Sequence, residues 1–393
     1  MTTGQASTGR IRFLDHLRGL SLLAILLVNA IAFAQPFDVY VMPTLSPLPM
    51  QADDRLVWWI IETFFKEKFI TGFTLLFGIS LFLVGRDADK SVPVTQTPLF
   101  RRLSWLVVFG LIHGALIWHG DILLSYAVTG FIFWRWKDMP SRVLLSWGSL
   151  LFLGGSALLL GPQIFNVPPD ALLATSDIAS TIQAMRGDFA ASLMQNMTVW
   201  AQGVLPETLG YLPSTLGLMM LGLGLFKAGI LNGEASNRAC FAMIAAAVLS
   251  LIVIGFQANL TYTQGFPYPQ TFGLYAIANS LLCLPVALGY AAALILIGRV
   301  RTIAPLLYPL ACVGRMAFSN YLMQSLIMTG LFYGGRGPDW FGTMNHAALL
   351  PIVISIWIGQ ILFSVLWLQF FRYGPFEWVW RCLTYNRRIR IFK

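Results

Sequence analysis

Three groups of residues in this sequence have the types and spacing to do chemistry inside an apolar chain. The first is Asp15-x-x-Arg18-Gly19 followed by Asn29. At ~100° per residue of helix, Arg18 and Asn29 return to nearly the same face, and Asp15 falls within about 40° of it. One face of the first helix is then polar at its mouth and again ~16 Å further in. A cation at such a mouth can hold a phosphate or a carboxylate, and the neighbouring acid can orient it. The competing reading is an interfacial pair that snorkels to the membrane surface, with Asn29 tying helices together.

The second group is His113, within the apolar stretch Phe109-Gly110-Leu111-Ile112-His113-Gly114-Ala115, and Asp121 just beyond it. Histidine and aspartate form the minimal general-base unit, because the carboxylate fixes the tautomer and stabilises the imidazolium. A lone core histidine is also a common hydrogen-bond partner, yet ionisable residues inside a membrane are functional candidates by default. His119 is nearer the surface and more replaceable. No spacing of the HExxH kind points to a metal. In the third group, Asn320 and Gln324 share a helix face at i and i+4 beside Tyr321, with Arg315 at the inner end of that span. They read equally as the lining of a polar path or as ties between helices. Lys68 and Glu62 interrupt the outer part of the second apolar stretch, where Lys68 is a candidate ligand or a snorkelling anchor. Near the end, Glu377 and Arg381 form an i, i+4 pair beside tryptophans and suit an anchoring helix on the inner surface.

The elements that must hold these residues follow from composition. Of 393 residues, 57% are hydrophobic, 11% charged and 14% aromatic, and the mean hydropathy is +0.70. A soluble chain of this length cannot hide so much apolar surface, and several runs are long enough to cross a ~30 Å hydrocarbon core. The net charge of +9 would suggest nucleic acid in a soluble protein. Here the basic residues sit in short loops on alternate sides of the spans, so the partner they imply is membrane lipid and not nucleic acid. Cys240, Cys283, Cys312 and Cys382 are scattered without CxxC spacing and read as small apolar fillers.

The expected fold is all-α: a polytopic integral membrane protein of about ten transmembrane helices with both termini cytoplasmic. Of 26 basic residues, only Arg55, Lys66, Lys68, Arg186 and Arg336 then fall on the outer side or in outer halves of spans. A single membrane domain over 1–393 divides into a five-span half, 1–161, a polar outer segment, 162–206, and a second five-span half, 207–393. The outer segment has the mixed patterning of short amphipathic helices lying on the surface. The turn between the third and fourth spans, at Trp118-His119-Gly120-Asp121, is so tight that the freedom of Gly120 is expected to permit it. Ala32-Phe33-Ala34 imitates a cleavage site, but removal there would discard the polar stripe, so the segment is expected to be retained.

These segments together resemble the YeiB-like bacterial membrane proteins. The resemblance is carried in order by Asp15-x-x-Arg18-Gly19, Val28-Asn29, Lys68-Phe69, Leu76-Phe77-Gly78, His113, Trp118, Gly120-Asp121-Ile122-Leu123 and Tyr126-Ala127. It continues through Asn320-Tyr321, Gln324-Ser325 and Gly374-Pro375-x-Glu377-Trp378-x-Trp380-Arg381, and the last third is similar to the domain of unknown function 418. More distantly, Leu14-Asp15-x-x-Arg18-Gly19 is similar to the opening of transmembrane acyltransferases, which follow the arginine with ten residues and then a histidine. Asn29 stands at that position and cannot be a base, which leaves His113 as the natural candidate. Heparan-acetyltransferase-like proteins also resemble the opening, with Asp-x-x-Arg-Gly followed by Val-Asn.

No motif match carries the histidine's role over to His113; the residues and the looser resemblance together lead to the expectation of an acyl transfer at a bacterial cytoplasmic (inner) membrane. An acyl-CoA-like donor would be a co-substrate rather than a bound cofactor, meeting Asp15 and Arg18. His113, oriented by Asp121, would deprotonate an acceptor, an envelope glycan or lipid, with Asn29, Asn320 and Gln324 lining the crossing. A transporter or permease for a small polar solute would use the same intramembrane residues as a substrate or proton path. A scaffold without chemistry would tolerate apolar replacement of Arg18 and His113. Oligomeric state leaves no mark in the sequence.

Overall fold

The computed structural model describes residues 12–86, 91–158, 177–266 and 275–393, and among them every regular element is a helix. The helices used below are α1 (Arg12–Ala34), α2 (Ala52–Phe64), α3 (Lys68–Gly85), α4 (Pro98–Ile112), α5 (Leu123–Phe133), α6 (Ser141–Ala157), α7 (Ile178–Met185) and α8 (Phe189–Val199). They continue with α9 (Leu212–Lys227), α10 (Asn237–Thr263), α11 (Tyr275–Arg299), α12 (Tyr308–Arg315), α13 (Ala317–Phe332), α14 (His346–Phe370) and α15 (Pro375–Tyr385). Their starts follow local chemistry. Thr97 caps α4 through the Phe100 amide, with Pro98 in the first turn, and Ser236 caps α10 through the Ala239 amide.

Six helices among the described residues are long and apolar enough to cross a membrane singly, or seven if the bent pair Phe189–Gly210 and Leu212–Lys227 is one span. The other stretches expected to span are shorter: α5 has 11 residues, α6 17, and α9 and α13 16 each. Helices α9 and α13 are the more enclosed of these, packed by neighbours for most of their length. A helix sheltered by protein need not match the lipid thickness by itself.

The frame of the site is the crossing of α1 and α12. A Cβ on Gly19 would lie 2.0 Å from the Leu310 carbonyl oxygen, and one on Gly314 would lie 2.0 Å from that of Asp15. The two backbones touch, which only glycines allow, and small residues at such contacts are the usual device where lipid gives no hydrophobic drive between helices. The glycine of Asp15-x-x-Arg18-Gly19 is therefore the reason that Arg18 and Arg315 come to the same level. Gly19→Val is expected to push α1 off α12 and to cost about 1–3 kcal/mol. A thermal-shift measurement in detergent checks this against Gly154→Ala, where a Cβ meets nothing within 4 Å.

The polar segment expected on the outer side does more than lie on a surface. Its first part, 162–176, is outside the described residues. Within α8, Ser192 and Asn196 are fully buried. Ser192 donates to the Gly334 carbonyl, and the Gly334 amide donates to Met185 of α7. Helices α7 and α8 thus clamp the loop after α13.

Candidate functional site

Helix α4 does not stop at Ile112. It widens into a π turn over His113–Ile117, closed by the Trp118 amide on the His113 carbonyl at 2.8 Å. Such turns often mark functional positions, because they re-aim side chains. The widening leaves carbonyls exposed within the helix bundle, where each must be satisfied by protein. Asn196 of α8 does so, donating to Gly114 and Ala115 at 3.0 and 2.9 Å while accepting from the His119 amide at 2.7 Å.

The chain then folds back, and Asp121 reaches His113. Nδ1 of His113 lies 2.9 Å from Oδ1 of Asp121, and Nε2 lies 2.8 Å from Oγ of Ser325 on α13. All three are buried, at 1%, 4% and 1% exposure for His113, Asp121 and Ser325. Asp121 also accepts from the Leu123 and Leu124 amides at 3.1 and 2.9 Å, so the cap of α5 and the orientation of the imidazole are one device. Gly120 serves this turn by its size: its φ is not left-handed, and a Cβ there would strike the Trp118 indole at 2.4 Å. His119 is not nearer the surface; it is 1% exposed, with Nδ1 3.2 Å from the Tyr333 hydroxyl.

At the opposite end of the bundle, where the basic loops gather, a cavity of about 290 Å³ opens. Its mouth carries Arg18, Arg102, Arg315, Arg372 and Arg381, with Glu377 as the acid in its lining. Deeper in, the walls are Leu22, Phe73, Phe77, Leu106 and Phe318, and the inner end is formed by Ile122 at the start of α5 and by Tyr321 on α13. The Tyr321 ring is 4.9 Å from the His113 ring, so one side chain separates the cavity from the imidazole. Arg18 donates to Asp15 at 3.1 Å and to Ser80 at 3.2 Å, Arg315 donates to the Arg372 carbonyl, and Arg102 lies 3.6 Å over Trp380.

Glu377 faces α13 rather than forming the expected pair with Arg381. It accepts from the Phe318 and Ser319 amides at 2.6 and 3.0 Å, capping α13 where the chain breaks after α12. Burial raises its carboxyl above the ordinary 4.5, against the hydrogen bonds from Ser319 and Phe318 that favour the anion. With a raised pKa, the folded chain keeps this proton to higher pH than the unfolded chain does. Its contribution to stability is therefore greatest below the ordinary carboxylate value and falls as pH rises through the folded pKa. Glu377→Gln is expected to flatten that decline in a melting-temperature series. Glu377→Ala, by orphaning two buried amides, is expected to cost about 1–3 kcal/mol.

The residues expected to bind substrate do not all meet. Arg18 and Arg315 line the cavity. Lys68 does not: it is fully buried at the far end of α3, donating to the Glu62 carbonyl at 2.7 Å and to Asn279 at 2.8 Å. Twelve positions of helix, ~18 Å, separate it from Ser80 beside Arg18. Asn320 and Gln324 face α14 and not the cavity. Asn320 donates to Ser364 at 2.9 Å, Gln324 to Gln360 at 2.8 Å, and Gln360 back to the Asn320 carbonyl at 2.8 Å. These are ties between helices. Asn29 is half-buried and belongs to neither group. The site residues that sequence reasoning missed are Ser325, Asn196 and the cap formed by Glu377. Ser325 is one position from Gln324 and carries no spacing signal towards His113, which is 212 positions away.

Long apolar helices enclosing a buried His–Asp–Ser group and a cation-rimmed cavity define an integral membrane protein of the multi-helix class. The family model described as "Protein of unknown function (DUF418)" matches residues 225–387. The uncharacterised protein YeiB of Escherichia coli (strain K12) is 34% identical over 392 residues, covering 94% of this chain and 95% of that protein. The uncharacterised protein YxaH of Bacillus subtilis (strain 168) is 29% identical, covering 96% and 94%. An uncharacterised 39.9 kDa protein from the amylase 3′ region of Bacillus acidopullulyticus is 26% identical, covering 97% and 96%. The chain belongs to the YeiB family of DUF418 proteins.

Proposed function

We infer that the protein is a transmembrane acyltransferase, moving an acyl group from an acyl-CoA-like donor to an envelope glycan or lipid. The observation that carries this reading is the shape of the cavity: arginines at the mouth, apolar walls inside, and a single tyrosine between its inner end and His113. An anionic head with an acyl arm matches that sequence of surfaces. At about 290 Å³ the cavity is at the lower bound of ligand pockets, so it suits the acyl arm, with the phosphates left among the guanidinium groups. His113 accepts the proton released when a nucleophile attacks the acyl carbon, and Asp121 holds the ring for that role.

The membrane in this reading is the bacterial inner membrane. Taking α5, α6, α9 and α13 as shorter spans beside the six long helices gives ten, with the arginine-rich end and both termini cytoplasmic by the positive-inside rule. The donor then reaches the cavity from the compartment that contains it. The acceptor meets the acyl group from the other side.

The test is titration of acetyl-CoA and palmitoyl-CoA into detergent-purified protein, followed by a search for acylated envelope products. Saturable binding that Arg18→Ala weakens and His113→Ala keeps is the expected result. Absence of binding at every chain length, with proton-coupled solute uptake in proteoliposomes, would replace the enzyme by a permease.

A further inference from the structure

We propose that Ser325 is the nucleophile of this site and carries the acyl group as a serine ester between donor and acceptor. This rests on the acyl-transfer reading and deepens it. The geometry is an unbroken relay: Ser325 Oγ lies 2.8 Å from His113 Nε2, and His113 Nδ1 lies 2.9 Å from Asp121 Oδ1. The direction of the relay follows from Asp121. As a carboxylate held by two backbone amides it only accepts, so the imidazole proton is on Nδ1 and the lone pair on Nε2 faces the serine hydroxyl.

A serine within a helix ordinarily bonds back to the carbonyl four residues earlier. Here that acceptor, Tyr321, is 3.3 Å from Oγ, against 2.8 Å to the imidazole. The shorter contact is the one that activates. A second observation is the Trp118 indole, 2% exposed, whose N–H has no partner among the described residues. Its ring is 6.3 Å from the imidazole. A buried donor without an acceptor is costly in a packed core, and near a general base it is the kind of group that can receive a developing oxyanion. The serine would satisfy Nε2 in a merely structural histidine as well, but such a histidine would have no use for the partnerless indole.

The chemistry balances without a further reactant. Ser325 Oγ bonds to the acyl carbon of the thioester as the carbon–sulfur bond breaks, and its proton passes through His113 Nε2 to the departing thiolate. In the second half, the acceptor hydroxyl or amine gives its proton to Nε2 and attacks the ester carbon. Oγ leaves and takes the proton back. Free thiol departs before the acceptor reacts, so the kinetics are ping-pong.

The experiment treats the purified full chain with an alkyl fluorophosphonate, which needs an activated serine but not the true donor, and locates the adduct by peptide mass spectrometry. Labelling of Ser325 is expected, absent from Ser325→Ala and from His113→Gln. With palmitoyl-CoA and no acceptor, an adduct on Ser325 released by alkaline hydroxylamine is expected. Ser325→Cys is expected to keep an adduct as a thioester released at neutral pH, and Ser325→Ala to lower transfer by at least about 10³-fold. Melting curves establish that each variant is folded. Transfer that persists within about threefold in Ser325→Ala, with no adduct on Ser325 in the wild type, overturns the serine ester and leaves direct transfer by His113 standing. A folded wild type that gives neither adduct nor acylated product overturns both.

Discussion

Replacing His113 by glutamine is expected to lower acyl transfer by about 10³- to 10⁴-fold while leaving donor affinity within about threefold. Glutamine can still reach a hydroxyl or a carboxylate but cannot take a proton, so the variant separates chemistry from packing. In the proposed site the donor would meet the arginines at the mouth, and His113 is beyond Tyr321, which is why affinity should survive. Asp121→Asn is expected to approach the same loss by a different route. The amide can keep a cap on α5, yet it no longer dictates that Nδ1 carries the proton, and a wrong tautomer points a hydrogen instead of a lone pair at Ser325. Single-turnover transfer with radiolabelled palmitoyl-CoA checks both variants. A variant that retains its melting temperature but keeps most of its rate would reduce His113 to a core hydrogen-bond partner.

Arg18→Ala is expected to raise the dissociation constant for an acyl-CoA by about 10- to 100-fold, the equivalent of one charge-assisted hydrogen bond to a phosphate. The side chain is partly exposed at the mouth and held from two sides, by Asp15 and Ser80, so it is presented in one orientation. Pre-organisation of that kind is what distinguishes a binding cation from a snorkelling one. Arg18→Lys should recover part of the affinity, since the charge stays while the planar fork is lost. Binding to the wild type should weaken as salt rises, and the slope should be shallower in the variant. Titration calorimetry at two ionic strengths measures both effects; equal affinities for wild type and Arg18→Ala would remove Arg18 from the site.

Local arithmetic made much of this protein legible. Apolar runs of helix length in a chain with 11% charge could only be membrane helices, and the Asp15–Arg18 pair at the head of the first one was recognisable as a polar mouth. His113 and Asp121 were recognisable as partners only on condition that the turn folded back. The structure supplies that turn, although Gly120 serves it by leaving room for Trp118 rather than by its dihedral freedom.

What the sequence determined by itself is therefore what depends on near neighbours: the helices, the end of the bundle that is basic, and the polar stripe on α1. Tertiary structure decided which polar residues share a space. It separated Lys68 from Arg18, turned Asn320 and Gln324 towards α14, and brought Ser325 to His113 and Glu377 to the start of α13. The physical reason is that a helix fixes the angle of every side chain about its own axis but not which neighbour that face meets. The choice of neighbour belongs to close crossings such as Gly19 on Leu310, made between residues some three hundred positions apart.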